Sequence, residues 1–423
     1  MSSRVLHPQY GGLFAIESSS PLPFVLPGEL VETTLQTILE ASPDRVAPRC
    51  VHFGVCGGCH YQHVNDLRQL ALKHAILNDV LTQQGLTSLP EPQTHSAEPW
   101  EYRNRIRLRV ERDPEGVLAV GYSRPGTNEF LPIRMCPIAA PLLWRSAEAL
   151  LQIAATEPSA SRFLASVSEV EFFTDAATTR LQAQFFLRDV DVVRVSPVPF
   201  VAFCERLRTS IPELTGAGAS LDPELNRRTR RQWAGATWGA DGLAYEADGR
   251  SYWVARGAFF QVNRHLIDRL VRLATDDTTG VLAWDLFAGV GLFTRALVER
   301  FTRVVAVEGA EAASLALAGA TAKLPVDTVR SSTLDFLRAR HLQRERPDLV
   351  VVDPPRAGLG PEAASLLASV GAPALVYVSC DPVTLARDLA ILTRSVYRID
   401  AIDLIDLFPQ TFHIETVVHL SRR

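Results

Sequence analysis

The chain has 423 residues and a formal net charge of −4, which suggests about two or three domains and argues against an overall basic field that attracts nucleic acid. It begins with no apolar leader and holds no apolar run of about 18 residues, so a soluble, cytoplasmic protein is expected. Six cysteines in a chain this long do not make a disulfide framework; they point to a metal site or a nucleophile. Positive charge is almost wholly arginine, with Lys only at 73 and 323, and arginine suits bidentate phosphate contact and base stacking.

Residues 1–45 alternate short apolar pieces with turn residues (Gly11-Gly12, the Pro21–Pro27 stretch), which predicts a few β-strands. So short a segment cannot build its own core, and an arm packed on the body is expected. Cys50, Cys56 and Cys59 follow in the pattern C-x5-C-x2-C, with Gly57-Gly58 letting the backbone turn tightly around a ligand. Cys136, followed by Pro137, would complete a set of four. A close triad plus one remote Cys-Pro is nearer to [4Fe–4S] ligation than to paired zinc ligands. His52, His60 and His63 keep a mixed Cys/His zinc site open. From Asp66 to Leu86 the spacing of Leu67, Leu70, Ala71, His74, Leu77 and Leu81 predicts a helix. Trp100 to Arg112 alternates strictly, placing Arg103, Arg105, Arg107 and Arg109 on one face of a strand and Ile106, Leu108 and Val110 on the other. That arginine face is expected to meet phosphates, whereas the basic run Arg227 to Arg231 reads as a solvated loop. Residues 113–250 read as β-rich, with strands near Val117–Tyr122, Val167–Phe173, Thr179–Phe186 and Gly242–Val254.

After about residue 255 strands and helices alternate, which predicts a parallel sheet. Val281 to Asp285 is a strand, Phe287 to Gly291 a glycine loop, and Leu292 to Arg300 a helix; Thr294 stands where a dinucleotide fingerprint would have its third glycine. Val304 to Val307 is the next strand and ends at Glu308, placed to accept hydrogen bonds from ribose hydroxyls. Strand-end acids on either side of a glycine-rich turn are the layout of an S-adenosylmethionine site. Leu349 to Val352 runs into Asp353-Pro354-Pro355, a rigid loop of the D-P-P kind found in nucleobase methyltransferases. Leu375 to Val378 delivers Cys380 to the edge where open α/β sheets bind ligands, and a helix opening near Thr384 would favour its thiolate. A final strand, Ile414 to Leu420, carries Glu415 at its start.

These residues answer one chemical problem. C5 of uracil is too weak a nucleophile to attack a sulfonium methyl unaided; a thiolate adding at C6 makes the ring an enolate whose C5 can attack. A base must then remove the C5 proton so that sulfur can leave. Cys380 fits the nucleophile and Glu415 the base.

GAFFQVN (257–263), DLFAGVG (285–291), DPPRAGL (353–359), SCDPVTLARDL (379–389) and FPQTFHIE (408–415) together resemble the RNA uracil-C5 methyltransferases that make 5-methyluridine. The resemblance runs from Cys50 to the end. It implies a Rossmann-like α/β S-adenosylmethionine-dependent methyltransferase domain at 255–423, a β-rich central RNA-binding region at 46–254 carrying a [4Fe–4S] cluster, and a short N-terminal barrel-like β segment at 1–45. It implies Cys380 as nucleophile and Glu415 as base, with Gln261, Phe287, Glu308 and Asp353 on the cofactor. CGGCxxQH is similar to the iron–sulfur branch, implying Cys50, Cys56, Cys59 and Cys136 as ligands. The implied partner is RNA, 23S ribosomal RNA first, with no membrane or DNA, and the protein is expected as a monomer. The sequence departs from the family at Leu292, where Asn or Thr is common, and at Ser331-Ser332-Thr333, where an Asn or Asp commonly meets adenine. Other readings are the same chemistry on transfer RNA, RNA cytosine-C5 methylation, a Rossmann oxidoreductase, and a non-catalytic RNA-binding assembly factor.

Overall fold

The computed structural model describes residues 2–17, 19–113, 115–188, 197–222, 235–275, 278–343 and 345–423. The basic run Arg227 to Arg231 lies outside the described residues. Among the described residues no helix is long and apolar enough to cross a membrane.

The first five strands are β1 (Ser2–Gln9), β2 (Leu13–Ile16), β3 (Ser19–Pro23), β4 (Leu30–Glu32) and β5 (Thr37–Glu40), forming a sheet in the order β3-β2-β1-β4-β5. Its apolar face (Val5, Phe14, Ile16, Leu22, Val31) is completed by Tyr61, Val64 and Leu72 from the segment that follows. The sheet therefore has a core, but a borrowed one, as its length requires.

Helix α1 (Asp66–Gln83) starts at Asn65, whose side chain accepts from the Arg68 amide at 2.9 Å. Its buried stripe is Gln69, Leu72, Lys73, Ile76, Leu77 and Leu81, and Leu67 is 82% exposed. The stripe is thus rotated from the one the apolar spacing predicts, because two polar residues, Gln69 and Lys73, face inward. Strand β6 (Gln93–His95) follows.

The central region holds β7 (Arg105–Arg112), β8 (Leu118–Ser123), β9 (Phe130–Pro132), α2 (Pro141–Thr156), α3 (Pro158–Ala165), β10 (Val167–Thr174), β11 (Leu181–Leu187), α4 (Pro197–Ser210), β12 (Leu214–Leu221) and β13 (Ala236–Gly239). The strands form one sheet, β13-β12-β11-β10-β7-β8-β9. Its apolar face, including Ile106, Leu108, Val110, Val170 and Phe185, packs against residues of all three helices. These helices were not expected from the β-rich reading. Their signal is a proline in the first turn, at 141, 158 and 197.

The arginine face of β7 meets acids within its own sheet. The neighbouring strand β10 supplies acids that the β7 sequence alone does not reveal: Arg105 pairs with Glu171 at 2.8 Å, Arg107 with Glu169, and Arg109 with Glu111 on its own strand. The three guanidiniums also lie over the Phe173, Phe186 and Phe130 rings. Cross-strand acids hold Arg105 and Arg107, and Glu111 of the same strand holds Arg109.

A hairpin, β14 (Gly242–Ala247) and β15 (Arg250–Ala255), and helix α5 (Ile267–Thr275) lead into the C-terminal layer. That layer contains β16 (Gly280–Leu286), α6 (Thr294–Leu297), β17 (Phe301–Glu308), α7 (Glu311–Thr321), β18 (Val326–Arg330), α8 (Thr333–Gln343), β19 (Leu349–Val352), α9 (Pro361–Val370), β20 (Ala374–Ser379), α10 (Pro382–Leu392), β21 (Tyr397–Ile405) and β22 (Glu415–Arg422). The sheet order is β18-β17-β16-β19-β20-β22-β21-β6, parallel except for β22. Apolar clusters cover both faces: α1 and α10 contribute to one, and α5 and the β14–β15 hairpin to the other. Burial on both sides explains unbroken runs such as Leu349–Val352. The helix expected over Leu292 to Arg300 shrinks to one α-helical turn, since the amides of Ala296, Glu299 and Arg300 bond three residues back.

Candidate active site and cysteine site

The strand order reverses between β16 and β19, and ligands of open α/β sheets bind beyond the C-terminal strand ends at such a point. Register brings the key residues there. Leu286 pairs with Val352 and Val352 with Tyr377, so Phe287 and Asp353 leave adjacent strands at one edge. Ser379 pairs with Thr416 across the antiparallel β20–β22 ladder, which sets Cys380 and Glu415 at the next rung. Nucleophile candidate and base candidate, 35 positions apart in the numbering, meet because β22 folds back beside β20.

The electrostatics differ from expectation at the sulfur. Cys380 is partly exposed, and its thiol is pushed up to about 12 by burial and then by the negative charges of Glu415, Asp353 and Asp381, with Arg356 opposing. The N-terminus of α10 does not favour the thiolate, because Asp381 occupies the cap: its Oδ1 accepts from the Val383 and Thr384 amides at 3.1 and 3.0 Å. Glu415 is 2% exposed, and burial and the Asp353 charge raise its carboxyl well above the usual carboxylate range. Burial and Asp285 lift Asp353 to about 7; burial, with Glu308 adding, lifts Asp285 to about 6 against the Thr294 hydroxyl. Glu415, Asp353 and Asp285 thus form a cluster of buried carboxyls at the sheet edge.

Gln261, Phe287 and Asp353 line one small cavity of about 40 Å³ with Phe260, Gly289 and Leu292. Gln261 Nε2 donates to Asp353 Oδ2 at 3.4 Å, and Phe287 adopts a left-handed φ of 67° where β16 turns into the glycine loop. Glu308 ends β17 beside the same loop, accepting from the Gly289 amide at 2.9 Å and the Ala310 amide at 2.6 Å. Asp285 Oδ1 is buried with no hydrogen-bond partner among the described residues. A sulfonium cation suits these carboxyls, and the held Glu308 suits a diol. Leu292 places an apolar side chain in the cavity lining, and its carbonyl accepts from Tyr252 Oη at 3.2 Å. Ser332 starts α8, its Oγ accepting from the Asp335 amide at 3.1 Å.

Away from the sheet edge, Cys50, Cys56, Cys59 and Cys136 line a single cavity of about 210 Å³ with Gln62, Arg103 and Tyr122. Cys136, remote in sequence, is therefore brought to the triad. Burial pushes Cys59 up to about 12 and Cys136 to about 11, and raises Cys50 and Cys56. Among the described residues no three His, Cys, Asp or Glu side chains form a group fit for a single metal ion. In the same cavity the Nε of Arg103 is buried with no hydrogen-bond partner among the described residues, a donor suited to an anionic group. His60 and His63 are committed elsewhere, His60 against Phe412 and His63 against Phe53 with its Nε2 3.4 Å from the Val25 carbonyl. His52 lines the cavity, its Nε2 accepting from the Arg134 amide at 2.9 Å.

Three contributors escaped the sequence reading. Lys73 is fully buried, its Nζ 2.6 Å from Asp406 Oδ1 and 2.9 Å from the Phe408 carbonyl. Gln410 is 1% exposed, at φ 68°, with its side-chain Oε1 accepting from Gln69 and its Nε2 donating to Asp66. Tyr10 bonds Asp381 at 2.9 Å. For the first two, a signal existed: polar residues (Gln69, Lys73) one helical turn apart within an otherwise apolar stripe.

Comparison with known proteins agrees with this geometry. Residues 242–423 match the family model described as tRNA (Uracil-5-)-methyltransferase. The chain is 32% identical to a 23S rRNA (uracil(1939)-C(5))-methyltransferase of Chromohalobacter salexigens, over 91% of this chain and 78% of that protein. It is 33% identical to an uncharacterized RNA methyltransferase of Rhizobium meliloti, over 95% of this chain and 93% of that one. The crystal structure of Pyrococcus abyssi tRNA (uracil-54, C5)-methyltransferase, in complex with S-adenosyl-L-homocysteine, superimposes with a TM-score of 0.75 at 23% identity, covering 99% of this chain and 100% of that one. A thiol and a carboxyl set one position past the last pair of one ladder, beside an acid-lined pocket, thus occur in a chain alike over nearly its whole length to enzymes of one kind: it belongs to the RNA (uracil-C5)-methyltransferase family.

Proposed function

We propose that the protein transfers a methyl group from S-adenosylmethionine to C5 of a uridine in 23S ribosomal RNA through a covalent bond between Cys380 and C6. The observation that carries this reading is the placement of Cys380 and Glu415 on adjacent positions of the β20–β22 ladder, beside Asp353. Gln261, Phe287, Glu308 and Asp353 would hold the donor, which supplies an electrophilic methyl on a positively charged sulfur. Cys380 would give its thiol proton to solvent as its sulfur bonds to C6 and the C5–C6 π electrons move to the ring carbonyl; C5 would then take the methyl as the donor's carbon–sulfur bond breaks and S-adenosylhomocysteine leaves. Glu415, in its ionised form, would then accept the C5 proton, the C5–H electrons would re-form the C5–C6 double bond, and the C6–sulfur bond would break to release 5-methyluridine and the Cys380 thiolate. The uracil must leave its stack to reach the sheet edge, at a cost of a few kcal/mol.

Cys50, Cys56, Cys59 and Cys136 would hold a [4Fe–4S] cluster. Four thiols around one cavity, with a buried arginine nitrogen beside them, suit an anionic cluster. Methyl transfer to uracil has no net redox step, so the cluster's part is structural. Ribosomal RNA is favoured over transfer RNA by the relative from Chromohalobacter salexigens. The test is methyl incorporation into ribosomal and transfer RNA from a strain deleted for the gene; acceptance by transfer RNA alone would refute the ribosomal assignment.

A further inference from the structure

Tyr10 lies in the turn after β1, 370 positions before Cys380 in the numbering. Its hydroxyl donates to Asp381 Oδ2 at 2.9 Å, and its ring meets Phe412 edge-on at 5.5 Å between centroids. Phe412 in turn packs on His60 at 4.6 Å and on His413 at 4.3 Å. Two residues on, Gly12 has φ 79°, and a Cβ there would stand 3.1 Å from Phe412 Cδ1 and 3.3 Å from His60 Cδ2. One N-terminal turn therefore touches both loops of the site: the one that follows Cys380 and the one that precedes Glu415.

The bond to Asp381 has a clear consequence. Oδ1 of Asp381 is committed to the amides that start α10, leaving Oδ2 for an outside partner, and Tyr10 is that partner. The carboxylate is held at both oxygens, and with it the peptide of the adjoining Cys380. Four charged or titratable groups act on the sulfur: Glu415 from β22, Asp353 after β19, Asp381 from its own loop, and Arg356, which opposes them.

We infer that Tyr10 is a positioning residue for methyl transfer: its hydroxyl fixes Asp381, and through it the direction of the Cys380 sulfur and the charge beside it. The inference rests on Cys380 being the nucleophile. It makes the N-terminal sheet a structural part of the catalytic unit. The hydroxyl also spreads the Asp381 charge, so its removal leaves a less compensated carboxylate beside the sulfur and disfavours the thiolate.

The test compares wild type with Tyr10→Phe, which keeps the ring packed on Phe412 and removes the bond. Steady-state methyl transfer is measured on RNA, and the rate of Cys380 alkylation by iodoacetamide is followed across pH by peptide mass spectrometry. Tyr10→Phe should lower kcat about tenfold with KM for RNA and donor unchanged, and should slow Cys380 alkylation at fixed pH. A wild-type kcat and alkylation profile would overturn the inference, as would a rise in RNA KM alone, which would mark an RNA contact. Asp381→Asn supplies a second route, because its carboxamide oxygen can still cap α10. In that background Tyr10→Phe should slow alkylation no further, and independent effects of the two changes would refute the coupling. Cys380→Ala separates the two failures: retained turnover there sinks the nucleophile assignment, while the alkylation profile still judges Tyr10.

Discussion

The sulfur of Cys380 should be switched on by the charge of the methyl donor. In the ligand-free protein the thiol is pushed up to about 12 by burial and by the acids Glu415, Asp353 and Asp381. Bound beside Asp353, the donor's sulfonium would bring in a positive charge. A unit charge about 6 Å from the sulfur, at an effective dielectric of about 20, is worth about 3 kcal/mol, or about two pKa units. A thiol lowered from about 12 to about 10 has about a hundredfold more thiolate at pH 8. The sign is fixed: a nearby cation favours the charged sulfur, so the alkylation profile moves to lower pH. The assay is iodoacetamide labelling of Cys380, read by peptide mass spectrometry, with either of two ligands bound. S-adenosylhomocysteine fills the site without a positive sulfur; an analogue with a protonated amine in place of the sulfonium methyl fills it with one. Comparing the two cancels the burial that any ligand imposes. Equal labelling rates with the two ligands would refute the reasoning.

Other outcomes follow from the same contacts. Cys380→Ala should abolish methyl transfer, and Glu415→Gln should accumulate a covalent RNA adduct visible on a denaturing gel, since the C5 proton then has no acceptor; adduct-free, active Glu415→Gln would exclude that base. Lys73→Met strands the Asp406 carboxylate in the interior and should cost about 3–5 kcal/mol in urea unfolding, with much of the loss recovered by adding Asp406→Leu; a loss under 1 kcal/mol, of the order seen for surface pairs, would show that the pair is not structural. Anaerobically purified protein should be brown and hold about four irons per chain, with the colour lost in Cys136→Ser; a colourless protein with one zinc per chain would exclude the cluster.

The C-terminal sheet was legible because its strands are buried on both faces and so appear as bare apolar runs ending in acids, as at Leu349–Asp353. Cys380 and Glu415 were legible for the same reason, each standing at a strand end. The pairing of arginines with Glu169 and Glu171 was not, since a strand partner about 60 residues away leaves no mark on local periodicity. The charge state of the sulfur was hidden too. It depends on three acids from three separate segments and on Asp381 taking the helix cap, and none of these can be weighed before the segments are assembled. Strand β6, which joins the far edge of the C-terminal sheet through pairing of Gln93 with Asp403, could not be read from three residues.

The loop before Glu415 shows what the rest of the chain contributes to the site. Five consecutive carbonyls are held there. Asn263 Nδ2 reaches those of Asp406 and Leu407 at 3.4 and 3.0 Å, Lys73 that of Phe408 at 2.9 Å, and Tyr102 that of Pro409 at 3.1 Å. The amides of His60 and Tyr61 share that of Gln410 at 2.8 and 3.0 Å. The donors come from the cysteine segment, α1, the start of the central region and the GAFFQVN motif. A buried carbonyl left unpaired costs about 1–3 kcal/mol, so each contributor is coupled to the same loop. The amides of His60 and Tyr61 directly follow Cys59, and whatever fixes the cysteine loop therefore fixes the peptide of Gln410, five residues before Glu415. A metal centre bound by these cysteines would need no electron to pass in order to matter: it would hold the loop that leads to Glu415.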